Sequence, residues 1–165
     1  MARRVFYSFH FDNDYWRTQQ IRNIGVIEGN KPVSENKWEE IKKKGDAAVE
    51  KWIDENLSGK SCTIVLIGEK TSKRKWVKKE IEKSWNEGKG LVGIYIHNLK
   101  HSDGTQSNKG SNPFDGFTLT VDGKKVKLSS IVKAYDPPYS SSKYVYSHIE
   151  ENIEDWVEEA IEIRE

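Results

Sequence analysis

The 165-residue sequence contains a single cysteine, Cys62. That scarcity excludes a disulfide framework and any zinc or iron–sulfur site built from several thiolates. Long apolar runs are missing too: none reaches the roughly 18 residues of a membrane span. Neither sign of charge dominates, with 27 Lys and Arg against 26 Asp and Glu, so global charge makes no case for a nucleic-acid binder. The opening stretch MARRVFYSFHFDND has neither the apolar core nor the cleavage site of a signal peptide. These absences predict a soluble cytoplasmic chain that works in a reducing compartment, with no membrane and no nucleic acid among its partners. What is present is a polar surface over a compact core, 35% hydrophobic against 32% charged residues. The length predicts one domain, 1–165.

The pattern of apolar residues predicts an α/β chain. RRVFYSFH (Arg3 to His10) reads as a strand, rich in β-branched and aromatic types. Asn13 is a candidate N-cap for a short helix stopped by Gly25, and Gly29 to Pro32 reads as a loop. From Ser34 or Asn36, apolar residues recur at helical spacing through Trp38, Ile41, Gly45, Ala48, Trp52 and Ile53, predicting one helix ending near Gly59. SCTIVLIG (Ser61 to Gly68) and LVGIYIHNL (Leu91 to Leu99) are unbroken apolar runs, as strands buried on both faces of a parallel sheet are. Between them, Thr71 or Ser72 would cap a helix KRKWVKKEIEKSWNEG. Lys100 to Gly116 reads as an irregular surface loop. Asp122-Gly123 predicts a hairpin. Ser142 begins a terminal helix with Ile149, Ile153, Trp156, Val157 and Ala160 on one stripe. The order is that of an α/β sandwich around a mostly parallel sheet.

Several familiar motifs fail on context. Gly59-Lys60-Ser61 resembles the end of a phosphate-binding loop, but Asp54 stands where the first glycine should be and the triplet precedes a strand. Asp12-Asn13-Asp14 lacks the glycine and closing Glu of a calcium loop. His97 and His101 are four apart but follow a strand, so their spacing has no metal-ligand meaning and no metal is expected. Asn56-Leu57-Ser58 is a glycosylation sequon without a secretory route.

The helix around Lys73–Gly88 carries the candidate chemistry. At about 100° per residue, Val77, Ile81, Ser84 and Gly88 face the sheet, and Trp76 and Glu80 sit one turn apart on the shoulder of that stripe. Open α/β sheets bind ligands outside the carboxyl ends of their strands. An indole beside a carboxylate there suits a flat aromatic ligand with a developing positive charge. On spacing alone the ordinary alternatives stand: Glu80 as an ion-pair partner of Lys79 or Lys83, Trp76 as a boundary core residue, and the run Lys70–Lys79 as a solvated basic face.

The sequence also resembles a family. VFYSFHFDND is similar to the first strand and loop of TIR domains, and SKRKWVKKEI to the helix whose Trp-x3-Glu-Ile segment bears the catalytic glutamate of the enzymatic members. YWRTQQIRNIG, GKGLVGIYIHNL and the acidic terminal helix resemble the TIR-like group that includes Thoeris antiphage signalling proteins. The resemblance implies a three-layer, flavodoxin-like α/β domain that cleaves the nicotinamide–ribose bond of NAD. NAD would be substrate, so no cofactor is expected. In the Thoeris members the ADP-ribosyl unit closes into a cyclic product that activates a separate effector during phage infection. Glu80 takes the catalytic position and Trp76 the adjacent pocket position. Ser8, Phe9 and His10 fall at the nucleotide-lining corner, and Arg17 and Asn23 on a helix face turned toward the diphosphate. The resemblance also implies a homo-oligomer when activated and a phage-derived trigger. A non-catalytic scaffold acting by self-assembly and a nucleoside deoxyribosyltransferase-like enzyme are the rival readings.

Overall fold

The computed structural model describes residues 3–25, 27–30 and 33–164, with the side chains of all but Asp12 and Glu35. Lys31 and Pro32 of the expected loop lie outside the described residues. Along the chain run β1 (Arg4–Ser8), α1 (Phe11–Arg22), β2 (Glu28–Gly29), α2 (Glu35–Lys43), α3 (Asp46–Leu57), β3 (Cys62–Ile67) and α4 (Lys75–Asn86). Then follow β4 (Gly90–Tyr95), β5 (Thr118–Val121), β6 (Lys124–Lys127), β7 (Ala134–Tyr135) and α5 (Ser142–Arg164). One parallel sheet has the order β2-β1-β3-β4-β7. β3 and β4 are buried along their whole length, as their unbroken apolar sequences predict.

Alternate residues of each central strand feed opposite faces. Val5, Tyr7, Ile64, Leu66, Val92 and Ile94 pack with Ile21 of α1 and with Ile149, Ile153, Val157 and Ala160 of α5. Phe6 packs on the other face with Trp38 of α2 and Val49, Ile53 and Leu57 of α3. Val65, Ile67, Leu91 and Tyr95 meet Val77 and Ile81 of α4. The result is a three-layer α/β fold, with no described helix long and apolar enough to cross a membrane.

Four expectations need correction. The segment read as one helix to Gly59 is two, because Gly45 adopts φ +102°, a conformation that ends a right-handed helix. Asn13 is not a cap: α1 begins at Phe11, with His10 in the cap position. Thr71 does not cap α4; it lies in a 3-10 turn, Thr71–Lys73, its hydroxyl accepting the Gly68 N–H at 2.8 Å. The extended Arg74 then separates that turn from α4. The strand read to Leu99 stops at Tyr95.

Other expectations hold. β5 and β6 form an antiparallel hairpin through Asp122-Gly123, both at positive φ. The terminal helix buries the stripe its sequence marks. The Lys100–Gly116 segment is largely irregular but anchored: Phe114 is fully buried, and Asn108 N–H donates to Glu69 at 2.9 Å.

Candidate active site

β2 is only two residues long, and its register with β1 ends at Val5 opposite Gly29. The next outward N–H of β1, that of Tyr7, therefore has no ladder partner; it donates to the side-chain oxygen of Asn30 at 3.0 Å. Beyond the end of β2 a narrow cavity of about 40 Å3 opens at this edge. Its walls are aromatic: Phe9, Phe11, Tyr15, Trp38, Trp52 and Trp76. These rings support one another, with Phe11 stacked on Phe9 (5.8 Å) and on Trp38 (5.9 Å), and Trp38 edge-on to Trp52 (5.4 Å).

Glu80 enters this wall from α4. Its carboxyl is buried and accepts the Ser8 hydroxyl at 2.6 Å, joining the end of β1 to the helix. Burial raises its pKa to about 8, against the opposing pull of the Ser8 hydrogen bond. The backbone beneath is braced: Ser84 donates to the Glu80 carbonyl at 2.7 Å and shares a 2.7 Å hydrogen bond with Thr63 of β3. The ion-pair reading of Glu80 is set aside by geometry. Lys75, Lys79 and Lys83 instead pair with Asp46, Glu50 and Asp54 of α3 at 2.5, 3.3 and 2.7 Å. The basic run is thus in part an interhelical ladder, and Glu80, turned to Ser8, takes no part in it.

A second basin, of about 270 Å3, shares Phe9, Phe11, Trp38 and Trp76 with the cavity and adds His10, Lys42, Arg74 and Lys75. The structure therefore brings Glu80, Trp76, Phe9 and Ser8 together, with His10 on the outer basin. Arg17 and Asn23 are not brought there. Arg17 is buried, donating from Nε to the Leu99 carbonyl (2.8 Å) and from Nη1 to Asp14 (3.1 Å), so it ties α1 to the segment after β4. Asn23 is exposed at the end of α1.

Sequence reasoning missed Arg22, Asn30, Trp38 and Trp52, all on the cavity wall. Trp38 and Trp52 fell on the apolar stripe of the expected single helix, where a core tryptophan and a ligand-facing one have the same spacing. Nothing local marks Asn30, whose role follows from the length of β2. Among the described residues no three His, Cys, Asp or Glu side chains cluster at metal-binding distances.

An aromatic slot closed by a hydrogen-bonded carboxyl of raised pKa, and sharing its rings with the larger outer basin, can take the edge of a flat ring and, once the carboxyl ionises, stabilise a cation beside it. The comparisons with known proteins agree with that chemistry. Residues 6–101, which include every cavity residue named above, match the family described as Thoeris protein ThsB, TIR-like domain. A Bacillus cereus (strain MSX-D12) protein named "Putative cyclic ADP-D-ribose synthase ThsB1" is 38% identical over 135 residues, 78% of this chain and 70% of that protein. With the matched segment spanning the sheet edge and the Glu80 helix, the chain belongs to the TIR-like domain family of Thoeris ThsB proteins.

Proposed function

We propose that this protein cleaves the nicotinamide–ribose bond of NAD and joins the freed anomeric carbon to another hydroxyl of the same ADP-ribosyl unit, releasing a cyclic nucleotide. The observation that carries the reading is Glu80, buried against Ser8 in an aromatic-walled cavity at the edge of β1. The name of the Bacillus cereus relative supports it.

Nicotinamide in NAD is already a cationic leaving group, so its departure needs no proton from the protein. As the bond breaks, positive charge develops at the anomeric carbon, and an ionised Glu80 stabilises it. Aromatic walls exclude water, which favours capture by an internal hydroxyl over hydrolysis. Trp76 supplies a ring face at the mouth, and the outer basin with Arg74, Lys42 and Lys75 offers cationic surface for the diphosphate.

The cyclic product would act on a separate effector, and assembly into a homo-oligomer under a phage-derived trigger would control the output. The decisive assay incubates the protein with NAD and, separately, with nicotinamide riboside and a nucleoside plus free base. Release of nicotinamide from NAD with a product at the mass of cyclic ADP-ribose supports the cyclase. Base exchange on nucleosides, with NAD intact, would assign the deoxyribosyltransferase-like reading instead.

A further inference from the structure

Arg22 has no place in the chemistry above, yet it is the one cation on the cavity wall among the described residues. One of its Nη groups donates to the Asn30 carbonyl, and the guanidinium lies 5.1 Å from the centre of the Tyr7 ring. Its Nε is buried and lacks a hydrogen-bond partner among the described residues. The ionisable groups that act on it are the Tyr7 and Tyr15 phenols, not a carboxylate, and burial lowers its pKa. That Nε is closed to the cavity as well as to solvent, so a ligand would meet the Nη groups. A partly buried cation with no ion pair among the described residues is costly in a folded chain, and a ligand acceptor that takes an Nη N–H recovers part of that cost. The surrounding walls select what that ligand is. A narrow slot of rings suits a planar aromatic group carrying a carbonyl acceptor, whereas a phosphate would exchange water for aromatic surface.

We propose that Arg22 is a leaving-group residue, donating to the carboxamide oxygen of the nicotinamide ring and holding a fixed positive charge beside that ring. This rests on the NAD-cleaving reading and adds a direction to it. When the C1′–N bond breaks, the bonding pair stays on the ring nitrogen and the ring passes from cation to neutral. The positive charge moves to the anomeric carbon, where a substrate hydroxyl forms the new C–O bond and gives up its proton. A fixed cation at the ring end disfavours the start of that transfer and not its end, so Arg22 drives charge away from the ring.

Three cavity tryptophans, Trp38, Trp52 and Trp76, make the test optical. Their fluorescence is titrated with nicotinamide, which is neutral, with 1-methylnicotinamide, which is a cation of the same shape, and with ribose 5-phosphate. The native protein should favour nicotinamide over its methylated cation by about tenfold or more. Arg22→Gln should shrink that ratio to within about threefold, and Arg22→Lys, which keeps the charge, should retain most of it. With NAD, Arg22→Gln should lower kcat while KM stays level or falls, since ground-state repulsion is removed along with the driving force.

An unchanged ratio in Arg22→Gln, equal affinity of the native protein for the neutral and cationic rings, or no response to nicotinamide at millimolar concentration overturns the assignment. So does tight binding of ribose 5-phosphate that depends on Arg22. Thermal melting of Arg22→Gln and Arg22→Lys separates these outcomes from misfolding, because a folding defect would weaken both rings together. If the charge preference depends on Arg22 but NAD is never cleaved, the cleavage reading falls and the Arg22 donor stands. If NAD is cleaved and the preference ignores Arg22, the reverse holds.

Discussion

At the scale of single residues, the balance at Glu80 decides the behaviour of the site. Burial favours the neutral acid and the Ser8 hydroxyl favours the carboxylate, with burial the larger effect. The protonated acid can accept and donate hydrogen bonds but cannot stabilise a cation as a carboxylate does. The kcat/KM profile for NAD should therefore rise with pH to a plateau, with its midpoint near pH 8. Ser8→Ala removes the one hydrogen bond that lowers the Glu80 pKa, so the midpoint should move upward and the rate at pH 7 should drop, on the order of several-fold. A midpoint that stays fixed, or moves down, would show that Ser8 does not act through the carboxyl. Phe9 and Trp76 should affect binding more than pH dependence, since neither ring touches the proton balance.

At the scale of elements, the cavity exists because β2 is short and close to β1. A Cβ on Gly29 would lie 2.3 Å from the Tyr7 ring and 3.6 Å from the Arg22 guanidinium. Gly29→Ala should therefore push Tyr7 into the slot, costing roughly 1–3 kcal/mol of stability and most of the ligand affinity. Calorimetry and the fluorescence titration would measure both. Full retention of binding would mean that the β1–β2 edge does not shape the site.

The same element explains what was and was not legible. β3, β4 and α5 could be read because their apolar patterns are long and unmixed. β2 and β7 have two residues each, too few for any period to show, and their pairing depends on partners far along the chain. The α2–α3 break could not be told from a continuous helix, because Gly45 occupies a position on the expected stripe and its φ of +102° is a tertiary outcome. Glu80 and Trp76 were legible through one-turn spacing on an amphipathic helix. Arg22 was not: on α1 it competes with Arg17, and which of the two reaches the cavity depends on where the segment after β4 receives a guanidinium. Arg17 took that bond, to the Leu99 carbonyl at 2.8 Å.

At the scale of the whole molecule, the buried acid links function to stability. The Glu80 pKa rises on folding from 4.5 to about 8, so the native state holds a proton that the unfolded chain gives up across this range. Stability attributable to this group is complete below about pH 4.5 and declines as pH rises to about 8. Glu80→Gln keeps the shape without the titration. It should raise the melting temperature at pH 8 more than at pH 5, a gain on the order of 2–3 kcal/mol at the higher pH. An equal change at both pH values would remove the carboxyl from the stability balance. The hairpin β5–β6 lies outside the central sheet and beyond the matched segment 6–101. Its removal between residues 119 and 126 should leave nicotinamide binding within about threefold of the native value, which the same titration would show.

The experiment that ties these scales together is mass spectrometry of nucleotides from cells that produce the native protein or Glu80→Gln, sampled with and without phage challenge. The account predicts loss of NAD and a new species at the mass of cyclic ADP-ribose in challenged cells with the native protein, and neither with Glu80→Gln. Protection from phage with NAD metabolites unchanged would contradict it and leave self-assembly as the working activity, and the same species formed by Glu80→Gln would contradict the role given to Glu80.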